Sequence, residues 1–319
     1  MSVLLDVRGL DVRFATPEGE VAAVSGLDFQ VAEGESVGVV GESGSGKSQL
    51  FLAVLGLLAR NGRATGSARF QGRELIGLAP AELRLFRGRH LAMIFQDPMT
   101  ALNPHLTVGR QLSEVLVLHR GMTEREACHG AIAMLERVRI PDAARRMDQY
   151  PHEFSGGMRQ RVTIAMALLG EPDVLIADEP TTALDVTVQA QILELLRELE
   201  ASLKAATILI THDLGVVASL CARIVVMYAG RVVEEGAVES VFHAPRHPYT
   251  RALLRALPRV DADAAGDLVA IPGQPPNLQR PIAGCAFRPR CPLADARCAT
   301  RPELRAIGAG RAACHMAGP

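Results

Sequence analysis

The chain has 319 residues, enough for one large domain or two smaller ones, each with a proper core. Its 34 Lys and Arg nearly balance 35 Asp and Glu, which excludes a nucleic-acid binder working from a generally basic surface. Tryptophan is absent and aromatic residues make up only 4%, so aliphatic side chains must fill the interior.

The opening stretch MSVLLDVRGLDVRF alternates at period two, as a half-buried strand does, and Asp6, Arg8, Asp11 and Arg13 interrupt it too often for a signal peptide. After the turn TPEGE, VAAVSGLDFQV reads as a second strand. ESVGVVGESGSGKSQLFLAVLGLLA then reads as strand, glycine-rich loop and helix. The longest apolar run, FLAVLGLLA, is too short to span a bilayer. From about 97 to 170 the pattern is mostly helical, as in REACHGAIAMLERV and MRQRVTIAMALLG. DVLIADEP is a continuously apolar run ending in acids, the form of a buried parallel strand. QAQILELLRELEASL is an amphipathic helix, and ATILITHD and RIVVMYAGRVVEEG are further strands. Strands alternating with helices predict an α/β fold with a largely parallel sheet. Past Gly236 the texture changes to a basic helical segment, HAPRHPYTRALLRALPR, then VDADAAGD, a Pro-rich connector and four closely spaced cysteines. No internal repeat is visible. The expectation is a cytosolic chain whose membrane association comes through partners.

GESGSGKS (41–48) fits the phosphate-binding loop pattern between a strand and a helix. Its glycines let backbone N–H groups curl around a phosphate, and the following helix points its positive end at the same anion. The candidate nucleotide contacts are Gly41, Glu42, Ser43, Gly44, Ser45, Gly46, Lys47, Ser48 and Gln49. Lys47 is expected to reach the β/γ-phosphates and the Ser48 hydroxyl to ligate Mg²⁺. VLIADE (174–179) is a second element, a strand delivering a carboxylate to its C-terminal edge. There Asp178 is expected to hold the Mg²⁺ and Glu179 to polarise an attacking water. In FSGGMRQR (154–161), Ser155, Gly156 and Gly157 precede a helix and form a second anion site. One chain does not need two γ-phosphate sites, whereas a head-to-tail dimer does.

With these motifs the sequence resembles the ATP-binding subunits of ABC transporters. It carries in order the loop at 41–48, Gln96 in MIFQDP, the signature at 155–157, the acidic strand at 174–179, ALD at 183–185 and His212 in THD. The resemblance implies an α/β P-loop NTPase of ABC type: a RecA-like core with an antiparallel β subdomain, a helical subdomain over about 97–170, and an irregular Cys-rich C-terminal extension. The expected division is 1–257 and 258–319. By the same resemblance Lys47, Gln96, Glu179 and His212 are catalytic, with His212 on the γ-phosphate. Gln96 joins Ser48 and Asp178 at Mg²⁺ and couples it to the membrane partner. Asp185 lies across the dimer interface, and Phe14 stacks on adenine, with a plain core phenylalanine as its alternative reading. The signature has Phe154 and Met158 where the general form is LSGGQ. FSGGMRQR, MIFQDPMTALNP and HPYTRALLRALPR together resemble the oligopeptide and dipeptide importers. Nickel or other small-solute importers share the core motifs and stay open as the alternative.

The implied partners are a second ABC ATPase subunit, identical or paralogous, two transmembrane permease subunits and an extracytoplasmic solute-binding protein, with no nucleic acid. The implied location is peripheral, on the cytoplasmic face of the inner membrane. A chromosome-maintenance ATPase would insert a long coiled coil between Gln96 and Ser155, where only about sixty positions without sustained heptads intervene. A translation-associated ABC protein usually holds two cassettes, and an exporter ATPase differs only in partners.

Cys285, Cys291, Cys298 and Cys314 are spaced C-x₅-C-x₆-C-x₁₅-C. In a reducing compartment disulfides are disfavoured. Structural zinc sites usually show a closer ligand pair. Four thiolates on wider loops suit a [4Fe–4S] cluster better, and the resemblance agrees. Zinc and four unligated thiols stay open. His315 reads as a bystander, and Cys128 and Cys221 as buried apolar fillers.

Overall fold

The computed structural model describes residues 2–182, 184–202, 205–256 and 270–318. The expected boundary at 257/258, the VDADAAGD segment and Ala183 of the ALD motif lie outside the described residues. Two compact units divide the chain, one built mainly from Leu78–Leu209 and the other from Val3–Val31, Ser36–Gly77 and the residues from Ile210 onward.

The second unit holds an antiparallel sheet in the order Gly19–Ala32, Val3–Thr16, Gly62–Phe70, Arg73–Glu74. In the first of these strands by sequence, Leu5 and Val7 are fully buried, and so are Leu10 and Val12, although the parity changes between the pairs. A bulge between Arg8 and Asp11, with Gly9 at φ +53°, absorbs the extra residue and turns both pairs inward. Without it, one pair would face solvent.

In a second sheet of this unit, Ser36–Val40 runs parallel to Arg223–Tyr228, which pairs antiparallel with Arg231–Ala237. The tail is less irregular than the sequence led us to expect. Gly310–Ala312 pairs antiparallel with Arg231–Ala237 and with Arg305–Ile307, through a two-residue turn with Gly308 at φ +59°. A tight hairpin needs that conformation at its first turn position, and glycine adopts it without strain. Helix Leu214–Leu220 lies so close to Ser36–Val40 that a Cβ at Gly38 would stand 2.4 Å from Val217 Cγ1.

The core beneath these strands contains Val40, Leu214, Val217, Ile224, Val226, Tyr228, Tyr249 and Phe287. The Tyr228 and Tyr249 rings are 4.6 Å apart at their centroids, and Phe287 meets Tyr228 edge-on at 5.3 Å. These three aromatics tie helix Pro248–Arg255 and the cysteine-bearing segment to the central strands.

In the first unit, Leu91–Ile94 pairs parallel with Val174–Asp178. Helices Val108–Arg120, Glu124–Arg137 and Gly156–Leu169 pack on one another. Thr107 caps the first of these by accepting the Arg110 N–H, and Gly121 ends it in the left-handed conformation. Thr123 and Glu126 form a reciprocal capping box at the start of the second. That helix buries Ala127, Ala131 and Leu135 at four-residue spacing, so Cys128 points elsewhere and is exposed. The reading of Cys128 as a buried filler is therefore corrected, and Cys221 is only half-buried. No helix among the described residues is long and apolar enough to cross a membrane.

His247 is 1% exposed, and its Nδ1 accepts the Tyr249 N–H at the start of helix Pro248–Arg255. Burial pushes its pKa down from 6.5 to about 4. The folded protein keeps the imidazole neutral where the unfolded chain would protonate it, so unfolding takes up a proton. The neutral form's contribution is complete above pH 6.5 and is lost as pH falls from 6.5 towards 4, by at most about 3 kcal/mol. His247→Asn keeps a capping acceptor but removes this titration. Urea unfolding between pH 7 and 4 is expected to show a shallower acid loss in the variant; parallel curves would contradict this account.

Candidate functional site

The buried strand Ser36–Val40 ends at Gly41, and helix Lys47–Val54 begins after Gly46. A Cβ at Gly41 would lie 2.2 Å from the Met227 carbonyl oxygen, and one at Gly46 would lie 2.3 Å from that of Ala23. Gly44 and Gly46 have φ of +75° and +95°. The loop therefore needs glycine for both space and conformation. Lys47 is 5% exposed, and its Nζ donates to the Gly41 carbonyl at 2.8 Å and the Glu42 carbonyl at 3.1 Å. The ammonium thus sits inside the curl of the loop. Ser43 and Gly44 are exposed at its tip, Ser48 and Gln49 are half-buried, and the Ser45 hydroxyl is buried without a hydrogen-bond partner.

Sequence reasoning missed what holds this loop from outside. The Glu42 N–H donates to Tyr249 Oη at 2.8 Å, and the Glu42 carboxylate is gripped by both terminal nitrogens of Arg290, at 2.7 and 2.9 Å. The carboxylate raises the Arg290 pKa still further above its ordinary value. Glu42 and Arg290 are 248 positions apart, so no spacing signal could have linked them.

Phe14 and His212 also belong to this unit. Phe14 is half-buried against Gly62, where a Cβ would come within 2.6 Å of its ring, and His212 is exposed just after strand Ala206–Thr211. The remaining motif residues belong to the other unit.

There, Val174–Asp178 is buried along its whole length and Asp178 is 5% exposed. Glu179 follows at φ +46°, a left-handed conformation costly for a side chain with a Cβ. Its Oε2 accepts from Gln96 Nε2 at 3.1 Å and from Thr182 Oγ1 at 2.8 Å. The sequence singled out Gln96 and Glu179 separately, and the fold joins them. Thr182 was missed, because a threonine three residues after an acid reads as an ordinary turn.

Ser155 caps helix Gly156–Leu169, its Oγ accepting the Met158 N–H at 3.4 Å. Ser155 and Gly156 are exposed, while a Cβ at Gly157 would strike Val188 Cγ1 at 2.6 Å. Phe154 is 3% exposed, so the departure from leucine there is a core substitution that leaves the exposed Ser–Gly edge intact. Asp185 accepts the Val188 N–H at 3.0 Å and so caps the helix it precedes.

The loop fits a nucleotide phosphate in chemistry through a glycine cradle, a buried ammonium and an unpartnered buried hydroxyl. The Ser48 hydroxyl of this unit and the Asp178 carboxylate and Gln96 amide of the other are oxygen donors of the kind Mg²⁺ takes. The cysteines fit a cluster less well. Cys298 and Cys314 are buried, and burial raises the thiol pKa values of Cys285 and Cys291, each of which also feels Cys298 and Cys314. The Cys285 N–H donates to the Cys298 carbonyl at 3.0 Å. Yet among the described residues no group of three or more His, Cys, Asp or Glu is arranged to hold a metal ion. The expected [4Fe–4S] site is not carried by this geometry.

The ABC transporter family profile matches residues 24–182, and that of the oligopeptide/dipeptide transporter C-terminal region matches residues 233–298. The oligopeptide transport ATP-binding protein OppD of Salmonella typhimurium is 57% identical over 310 residues, covering 97% of this chain and 92% of its own length. The chain belongs to the oligopeptide-transporter branch of the ABC transporter ATP-binding proteins. The Escherichia coli OppD is 56% identical over 97% of this chain and 91% of its own. Among solved structures, the dimeric ATP-binding cassette MJ0796 in a post-hydrolysis state bound to ADP and Pi is 28% identical. It gives a TM-score of 0.66 over 73% of this chain and 98% of that one. The cbiO1 subunit from Clostridium perfringens, part of the cbiONQ transporter complex, is 29% identical with a TM-score of 0.62, over 76% and 92%. As a member of this family the chain is an ATP-hydrolysing transport enzyme.

Gly46→Ala would drive a Cβ into the Ala23 backbone at a positive φ that alanine resists. MgATP binding to the purified chain is expected to fall at least about a hundredfold, measured by equilibrium titration, because the loop must deform to accept the methyl group.

Proposed function

We propose that this chain is the ATPase subunit that powers import of di- and oligopeptides through a membrane transporter. The observation that carries the reading is the combination of the glycine cradle holding Lys47 with 57% identity to an oligopeptide transport ATP-binding protein across nearly the whole chain. The peptide-transporter C-terminal match over 233–298 favours peptides over nickel or other small solutes.

In the proposed mechanism the loop 41–48 binds the phosphates through its N–H groups, with Lys47 on the β/γ-phosphates, His212 on the γ-phosphate and Phe14 against the adenine. Mg²⁺, when bound, neutralises developing charge on the phosphoryl oxygens. Ser48, Asp178 and Gln96 are its candidate ligands. Glu179 accepts a proton from the water that attacks the γ-phosphorus as the bond to the ADP oxygen breaks, releasing ADP and phosphate. Gln96 and Thr182 orient the Glu179 carboxylate for this step, which is what their two hydrogen bonds support. The Ser155–Gly157 edge of one subunit closes on the γ-phosphate held by another, with Asp185 across the interface. Hydrolysis removes the group both subunits grip. Two permease subunits and a solute-binding protein complete the assembly, and the chain works peripherally at the cytoplasmic face of the inner membrane. The partner ATPase is proposed to be a paralogue.

Copurification of the tagged chain with its partners, followed by reconstitution with Glu179→Gln, tests this reading. ATP hydrolysis is expected to fall at least about a hundredfold while MgATP binding persists, and peptide uptake is expected to stop. Hydrolysis at the parental rate would remove Glu179 from the mechanism, and capture without membrane subunits would remove the transport assignment.

The [4Fe–4S] cluster on Cys285, Cys291, Cys298 and Cys314 is a separate proposal that rests on the donor chemistry of the four cysteines alone, without support from the arrangement of the described residues. Anaerobically purified protein is expected to contain about four iron and four acid-labile sulfide per chain. Stoichiometric zinc, or neither metal, would end it.

A further inference from the structure

We propose that the C-terminal region is a clasp on the phosphate-binding loop, with Arg290 as a positioning residue that sets the affinity for MgATP through Glu42. The inference rests on the assignment of 41–48 as the nucleotide loop. It adds a determinant that lies outside all the motifs of the ATPase core.

Residue 42 is held from three directions. Its carboxylate takes the two-pronged grip of Arg290, its N–H donates to the Tyr249 hydroxyl, and its carbonyl accepts from Lys47 Nζ. Two of the three holders, Tyr249 and Arg290, come from the C-terminal part of the chain. The third is the phosphate-binding lysine itself.

Arg290 is built to be rigid. Its side chain is 4% exposed, its Nε donates to the Pro272 carbonyl at 2.9 Å, and its Nη2 also reaches the Ile271 carbonyl at 3.3 Å. Nη1 lies 3.3 Å from Tyr228 Oη as well. A planar guanidinium with its donors so distributed has little freedom to follow Glu42 if the loop moves. Tyr249 is fully buried, its ring packed at a tilt against those of Tyr228 and Phe287. Both contacts are therefore anchored in the core of the unit, and they fix the backbone of the second residue of the loop.

A salt bridge that merely staples the tail to the body would add stability without changing nucleotide affinity in the folded protein. The position of Glu42 argues otherwise. Lys47 shares its ammonium between the Gly41 and Glu42 carbonyls, so a rotation of the residue 42 peptide displaces a hydrogen-bond partner of the phosphate-binding cation. The clasp presets the loop curvature and reduces the reorganisation that binding would otherwise require.

The test is a double-mutant cycle on the full-length purified chain, read by equilibrium binding of MgATP, with KM and kcat measured in the reconstituted transporter. Arg290→Lys keeps the charge but cannot make the two-pronged grip. It is expected to weaken MgATP binding about tenfold, with KM rising in proportion and kcat falling less than about threefold. In a Glu42→Gln background the same substitution is expected to change binding less than about twofold, because the grip it disrupts is already gone. Equal effects in both backgrounds, or parental affinity in a folded Arg290→Lys, would overturn the clasp and leave Arg290 a staple.

Should Arg290 variants fail to fold, Tyr249→Phe removes a single oxygen from the same clasp. A folded Tyr249→Phe that binds MgATP at the parental affinity would equally overturn the proposal, and a severalfold weakening supports it. The parent and Lys47→Ala separate the two levels of the argument. If the parent binds MgATP and Lys47→Ala does not, the loop assignment stands whatever Arg290 does. If the parent fails to bind, the assignment fails before the clasp is in question.

Discussion

A loop that holds a polyphosphate through its backbone must let several N–H groups approach the anion together, and a Cβ at the wrong position blocks the approach. The loop between Val40 and Lys47 is organised around that constraint. Gly41 and Gly46 stand so close to the carbonyls of Met227 and Ala23 that no side chain fits. These carbonyls belong to a neighbouring strand of one sheet and to the antiparallel sheet of the same unit. The loop's curvature is thus set by two sheets pressing against it, and the strands that form those sheets are in turn held by the aliphatic core beneath them.

The acidic element obeys a different constraint. A fully buried strand can present a carboxylate only at its end, and Asp178 and Glu179 sit there. The turn after it places Glu179 in a left-handed conformation that a non-glycine residue adopts only when its surroundings hold it. Gln96 and Thr182 supply part of that hold through hydrogen bonds to one carboxylate oxygen. Strain and orientation come together in Glu179, the residue proposed to activate water, as functional sites commonly combine them.

The C-terminal region shows how far an appended segment can be drawn into a site. Its hairpin adds strands to the sheet at Arg231–Ala237, Phe287 enters the aromatic core, and Arg290 reaches the second residue of the phosphate loop. The sequence read this region as loosely structured because Pro-rich and Cys-rich stretches lack periodicity. Its hairpin strands are three residues long, too short for any periodic pattern to register. Cys128 illustrates the opposite error: one apolar residue in a helical stretch was assigned to the interior, while the buried stripe of Ala127, Ala131 and Leu135 runs on a different face.

What the sequence determined by itself was everything written in local spacing: the glycine loop before a helix, the apolar strand ending in Asp178 and Glu179, the Ser155 cap with two glycines, and their order along the chain. Such patterns are legible because their chemistry is carried by residues within a few positions of one another. Only the tertiary structure decided the pairing of Gln96 with Glu179, the contribution of Thr182, and the grip of Arg290 and Tyr249 on Glu42. Those contacts depend on which strand ends and which tail residues the packed core brings within hydrogen-bond distance, and a single chain's spacing does not encode that distance.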